Sequence, residues 1–208
     1  MRIIVISDTH CEQPQLPDGD ILIHCGDLTY NGADSETKTA LTWLSLQPHK
    51  HKLFIAGNHE MGWRNETSRY YKLRDFCPPL TYLHDSGIEI NGLKLWGSPV
   101  QPWFYNWAFQ KERGEQLREH WEQIPDDVDV LITHGPPKGF GDINKHDERF
   151  GDEDLLNRIL VIKPKLHLFG HAHHGYGEYF HEGIHMINAA IMNEDYEPQN
   201  APIVVDVE

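Results

Sequence analysis

Seven side chains in this sequence could hold metal ions together: the carboxylates Asp8 and Asp27, the amide Asn58, and the imidazoles His10, His134, His171 and His173. Hard oxygen donors mixed with imidazole suit Mn2+, Fe or Zn2+ better than Ca2+ or a thiolate site. Seven ligands exceed what one ion needs. A carboxylate can bridge, so the set suffices for two ions. Two divalent ions about 3.5–4 Å apart form a clamp for in-line attack on phosphorus, and a water between them would act as hydroxide near neutral pH.

The elements that must position these residues repeat one pattern, a short apolar run that ends in a metal-capable residue. Arg2 to Ile6 leads to Asp8-Thr9-His10, and Asp20 to Ile23 leads to Gly26-Asp27. Lys52 to Ile55 leads to Gly57-Asn58-His59-Glu60. Asp129 to Ile132 leads to His134-Gly135, and Leu166 to Phe169 leads to Gly170-His171-Ala172-His173. Such runs are expected of strands buried on both faces. Further strands are expected at Leu93–Trp96, Ile184–Asn188 and Ile203–Val207. Helices are expected over 35–46, 66–76, 110–123 and 152–162, with caps at Asp34/Ser35 and Asp152 and prolines past the ends. The alternation predicts one α/β domain over residues 1–208 with helices outside. Ligands of α/β sheets bind beyond the carboxyl ends of the strands. Asp, Asn and Gly are ordinary turn formers there, but histidine is not. Yet His10, His59, His134, His171 and His173 all fall at these ends.

Lys and Arg number 18 against 32 Asp and Glu, a formal charge of −14. That surface repels nucleic acid, whose binding depends on Lys and Arg at the phosphates. No long nucleic acid and no membrane is expected as a partner, while a small phosphate ester stays open, because two divalent cations in the cleft would reverse the local field. Nothing approaches the roughly 18 apolar residues of a membrane span. The N-terminal apolar run is too short for a signal peptide, so a cytoplasmic location is expected. Three cysteines, Cys11, Cys25 and Cys77, fit no disulfide framework. Cys11 and Cys25 adjoin proposed ligands and are expected to be small buried fillers rather than ligands.

Taken in order, Asp8-x-His10, Gly26-Asp27, Gly57-Asn58-His59-Glu60, His134-Gly135 and Gly170-His171-x-His173 resemble the calcineurin-like metallophosphoesterases. The resemblance implies a two-sheet β-sandwich flanked by helices. It also implies that Asp8, His10, Asp27 and His173 hold a first metal and Asp27, Asn58, His134 and His171 a second, with Asp27 bridging. His59 resembles the histidine that binds no metal and stabilises the transition state or protonates the leaving oxygen. The arginines by which protein Ser/Thr phosphatases grip phosphate have no counterpart, since Leu28 follows Asp27 and Ala56 precedes Gly57. The segments Gly97 to Phe109, Ile132 to Pro137, Gly175-Tyr176-Gly177 and Ile187-Asn188-Ala189-Ala190 to Pro202-Ile203 resemble the small metallophosphoesterase-domain-containing group first described in vertebrate brain. That group implies phosphodiesterase activity, including on 2′,3′-cyclic nucleotides, usually with Mn2+. One of its members has Gly in place of the first histidine of Gly-His-x-His; this chain keeps His171, which predicts a fuller second metal site. The rival readings are a phosphomonoesterase or nuclease of the same superfamily and, in another class, a non-catalytic metal-binding scaffold. A scaffold would have no need of His59.

Trp103, Phe104, Tyr105 and Trp107 are expected to fill the core or an interface, the alternative being to stack a nucleotide base. Histidines outside the motifs, among them His49, His51, His120, His146 and His181, are expected at the surface. His24 is expected to pack within its strand, and His174 could line the phosphate pocket. The 138–152 loop reads equally as a substrate cap or a mobile surface loop.

Overall fold

A computed structural model describes residues 1–63 and 79–207. The helix expected over 66–76, and Cys77, lie outside the described residues. Thirteen strands are described: β1 (Arg2–Ile6), β2 (Ile21–His24), β3 (His51–Phe54), β4 (Leu80–Tyr82), β5 (Ser86–Ile90), β6 (Leu93–Ser98), β7 (Gln101–Pro102), β8 (Gln110–Lys111), β9 (Val130–Thr133), β10 (Leu166–Phe169), β11 (Gly177–His181), β12 (Ile184–Asn188) and β13 (Ile203–Asp206). The described α-helices are α1 (Asp34–Ser45), α2 (Glu115–Trp121) and α3 (Glu153–Ile162). One sheet runs β13-β1-β2-β3-β4, the other β11-β12-β10-β9-β6-β5.

The apolar runs are continuous because both faces of their strands are covered. Odd positions of β1, β2 and β3 (Ile3, Val5, Ile21, Ile23, Leu53) meet Leu95, Val130, Ile132, Leu166 and Leu168 of the second sheet. Even positions (Ile4, Ile6, Leu22, Phe54) face outward onto Ala40, Leu41 and Leu44 of α1. Leu131, Phe169 and Met186 face the other way onto Leu117 and Trp121 of α2 and Leu155 and Ile159 of α3. The layers are therefore helix, sheet, sheet, helix, the mixed α/β sandwich expected. Each fully buried Leu or Ile contributes about 1.5–3 kcal/mol.

Boundaries move where local chemistry overrides pattern. The helix expected from residue 110 starts at Glu115, because Gly114 has φ +84 and residues 110–111 are strand. The first cap is Ala33 rather than Asp34 or Ser35, with the Glu36 carboxylate accepting from the N–H groups of Asn31 and Ala33. Asp152 does cap α3, accepting from the Asp154 N–H at 3.0 Å. β5 and β11 went unforeseen. They are sheet edges with exposed alternate residues and few apolar ones, so no buried run marks them. Among the described residues, no helix is long and apolar enough to cross a membrane.

Candidate metal centre

β1, β2 and β3 run parallel in one sheet, and β9 and β10 run parallel in the other. Their carboxyl ends meet along one edge. There the loops are bound across the sandwich: the His171 N–H donates to Asp8 Oδ2 at 2.9 Å, and His134 Nδ1 donates to the Cys25 carbonyl at 2.9 Å. Asp8, His10, Asp27 and His171 all hold positive φ, from 44 to 66 degrees. Side-chain-bearing residues rarely adopt that conformation, and a cluster of them marks a site where geometry outranks backbone comfort.

The seven candidate ligands come together. Donor atoms of Asp8, His10 and His173 lie within 4.8 Å of one another, as do those of Asp27, His134 and His171. A further grouping, His10 with Asp27 and His59, shares His10 with the first and Asp27 with the second. Asn58 Oδ1 sits 2.9 Å from His134 Nε2, and Asp27 Oδ2 lies 3.2 Å from that same nitrogen. Four imidazoles share one device. Nδ1 of His10, His59, His134 and His173 each faces a backbone carbonyl, of Thr29, Tyr30, Cys25 and Asn193, at 2.7–3.0 Å. A carbonyl only accepts, so each Nδ1 carries the proton and each Nε2 is left for chemistry.

Burial opposes every charge here, but the pairs overcome it. The carboxyl of Asp8 is held well below its usual range by His173 and His134, and that of Asp27 by His134. Reciprocally, Asp27 raises His134 to about 9 and Asp8 raises His173 to about 9. Burial dominates at His10 and His171, which fall to about 4 and about 3. The carboxylates thus draw positive charge into both halves of the site, and cations bound there would displace the imidazole protons.

Two further observations test the fit to metal. His10 Nε2 is buried with no hydrogen-bond partner, and Asp8 Oδ1 has only the His173 imidazole at 3.4 Å, an arrangement that costs free energy unless a ligand satisfies them. At Gly57 and Gly170 the backbone comes so close that a Cβ would stand 2.3 Å from Asp27 Oδ1 and 2.1 Å from Asp8 Oδ2, so only glycine lets these carboxylates in. The donor set fits two divalent cations, one at Asp8, His10 and His173, one at Asn58, His134 and His171, with Asp27 beside both.

The sequence matches the family described as "Calcineurin-like phosphoesterase" over residues 1–175. It is 39% identical to metallophosphoesterase domain-containing protein 1 of Homo sapiens, across 99% of this chain and 71% of that protein. The chain belongs to the calcineurin-like phosphoesterase family. A UPF0046 protein of Caenorhabditis elegans is 38% identical across 98% of this chain and 74% of its own length. The crystal structure of a phosphopantetheinyl hydrolase from Mycobacterium tuberculosis shares the fold, with TM-score 0.59 at 15% identity over 93% of this chain and 90% of that one. Calcineurin-like phosphoesterases are metal-dependent hydrolases of phosphate esters that normally bind two divalent ions.

In this phosphoesterase the sequence reading missed three supports of the site. The Glu60 carboxylate is fully buried and accepts from the N–H groups of Asp27, Thr29 and Gly57 and from the Thr29 hydroxyl, at 2.7–3.1 Å. Burial and the neighbouring Asp27 push its pKa upward, against the Gly57 N–H and the Thr29 hydroxyl, which favour the charged form. Tyr196 and Glu194, from a turn that no motif flags, help line a cavity of about 150 Å3 over Asp27, Asn58 and His59. The Trp107 ring lies tilted against His59, with ring centres 4.5 Å apart.

Several expectations need correction. Trp103, Phe104 and Tyr105 do not fill the core; they are exposed, because the β7–β8 turn projects them outward. His49 and His120 are buried, not superficial: His49 meets the Pro17 carbonyl, and His120 meets Ser98 and Asp85. His167 is buried likewise, with Thr133 as partner. His51 is half-buried, while His146 and His181 are exposed as expected. His24 packs, with Thr9 at 2.9 Å. His174 is exposed and does not line the cavity. Cys25 is a buried filler, Cys11 only half-buried. The 138–152 loop is pinned rather than loose, since buried Asp142 accepts from Gly139 and Arg149.

Proposed function

We propose that this phosphoesterase is a phosphodiesterase of small nucleotide-like esters, 2′,3′-cyclic nucleotides among them, with Mn2+ as its preferred ion. The observation that carries the reading is the placement of Asp27 between the two ligand clusters with His59 alongside, its Nε2 4.0 Å from Asp27 Oδ2. Two cations held by Asp8, His10, Asp27, Asn58, His134, His171 and His173 would polarise the phosphoryl oxygens and acidify a bound water. The remaining work falls to the chain. His59 keeps Nδ1 on the Tyr30 carbonyl, so Nε2 is the atom that hands a proton to the leaving alcohol. The Trp107 ring and the His59 N–H donated to Asp27 Oδ1, 2.8 Å, hold that imidazole in register.

Leu28 and Ala56 are packed in the core, so neither position offers phosphate a cation. That speaks against phosphoprotein substrates. The charge of −14 supports a small substrate over a nucleic-acid polymer, and free Cys11 and Cys25 fit a cytoplasmic location.

The test is turnover of bis-p-nitrophenyl phosphate and 2′,3′-cyclic AMP with Mn2+. Asp27→Asn is expected to lower kcat about 100-fold or more with both substrates, and His59→Ala by as much with the cyclic nucleotide. Undiminished turnover in both contradicts the reading.

A further inference from the structure

Beside the metal cavity the surface opens into a groove of about 620 Å3, within the roughly 300–1,000 Å3 usual for small-molecule pockets. Groove and cavity share Phe104, His171 and Glu194. A molecule with its phosphate among the ligand clusters therefore extends into the groove. Two segments supply its large aromatic rings. The turn after β7 brings Trp103 and Phe104; the 138–152 loop brings Arg149 and Phe150.

Trp103 and Phe104 are each 57% exposed. Two adjacent large rings left in water at the mouth of a catalytic cleft mark a surface that something covers. The turn that carries them is fixed. The Trp103 N–H donates to the Lys111 carbonyl at 2.8 Å, and Gln110 Nε2 donates to the Phe104 carbonyl at 2.7 Å. Phe150 stands edge-on to His171, 5.6 Å between ring centres. The cations of the groove are already engaged: Arg149 pairs with buried Asp142, and Arg113 donates to the carbonyls of Phe150 and Gly151. Glu148 and Glu194 balance their charge. The distinctive chemistry of the groove is aromatic rather than ionic.

We propose that the groove is a stacking subsite for a nucleobase carried on the alcohol half of the ester, with Trp103 and Phe104 as the residues that grip it. The proposal rests on the phosphodiesterase reading for the direction in which the substrate lies. Every base has a planar face, so such a site favours nucleotides over other phosphate esters without choosing one base.

The test is calorimetric titration of the Mn2+-loaded protein with adenosine 5′-monophosphate and with ribose 5-phosphate, which share the phosphate and differ by the base. The wild-type protein is expected to bind the first at least about tenfold more tightly. The Trp103→Ala/Phe104→Ala protein is expected to lose that preference, while Trp103→Phe and Tyr105→Ala, the latter outside the groove, keep most of it. Both rings are superficial, and circular dichroism checks that the double variant folds. Equal wild-type affinities, or an unchanged preference in the double variant, overturn the proposal. A tenfold preference in a protein that cleaves no diester supports the subsite and overturns the phosphodiesterase reading alone.

Discussion

Asp27 and His134 meet across the seam of the sandwich, Oδ2 to Nε2 at 3.2 Å, one from the loop after β2 and the other from the end of β9. Neither sheet alone contains the site. Cations bound there tie the two sheets and bind the folded chain only. Chelation is therefore expected to lower the melting temperature as well as abolish activity. At free Mn2+ a hundredfold above Kd each ion adds about 2.7 kcal/mol, lost when EDTA is added and restored by Mn2+. Differential scanning fluorimetry with and without EDTA measures it; no shift would mean that the clusters hold no cation.

His59 is expected to matter in proportion to how badly the leaving group needs a proton. For p-nitrophenol, an acidic alcohol, His59→Gln is expected to cost less than for a ribose hydroxyl, where the loss in kcat reaches about 100- to 10,000-fold. Rates for an aryl and an alkyl diester, compared in the same variant, provide the check. Equal losses would assign His59 to charge stabilisation instead.

Glu60 binds no ion in this account, yet it holds the loops of Asp27 and Gly57 together. Its four contacts are all donors, so only a carboxylate or its close mimic serves. Glu60→Gln turns an amide NH2 toward at least one of them. The expected result is a loss of about 1–3 kcal/mol in urea unfolding and a 10- to 100-fold weaker Mn2+ affinity. Wild-type values for both would show the carboxylate to be dispensable.

Much of this centre was legible in the sequence because its residues follow strands. Each apolar run announced a buried strand, and its end announced where Asp8, Asp27, Asn58, His134 and His171 would stand. The supports were less visible. Glu60 is read easily as an ordinary polar residue, since its value lies in donors 31 and 33 positions earlier as well as nearby. Tyr196 reaches the cavity by a turn with φ +59, which no periodicity predicts. Trp103 and Phe104 misled for the opposite reason: large rings are usually buried, and only the projecting β7–β8 turn shows that these are not. The sandwich itself needed the family resemblance, because alternation of strands and helices alone does not say how many sheets form.

Acid is expected to destabilise the fold partly through His167. Burial holds it down to about 3 in the folded chain, against about 6.5 when unfolded. Between those values the unfolded chain binds a proton that the folded chain refuses, so stability is complete above about pH 6.5 and falls as pH drops toward 3. One such group contributes a slope of about 1.4 kcal/mol per pH unit. In EDTA, His167→Leu is expected to unfold with a shallower dependence between pH 6 and 4 by about that amount. Parallel curves for the two proteins would show that His167 does not titrate this way.

The central claim is a two-ion centre joined at Asp27. Plasma mass spectrometry of protein equilibrated with Mn2+ and desalted counts the ions directly. Two ions per wild-type chain, and fewer than one in Asp27→Asn, is the predicted result. One ion or none in the wild type, or two retained without the Asp27 carboxylate, would contradict it.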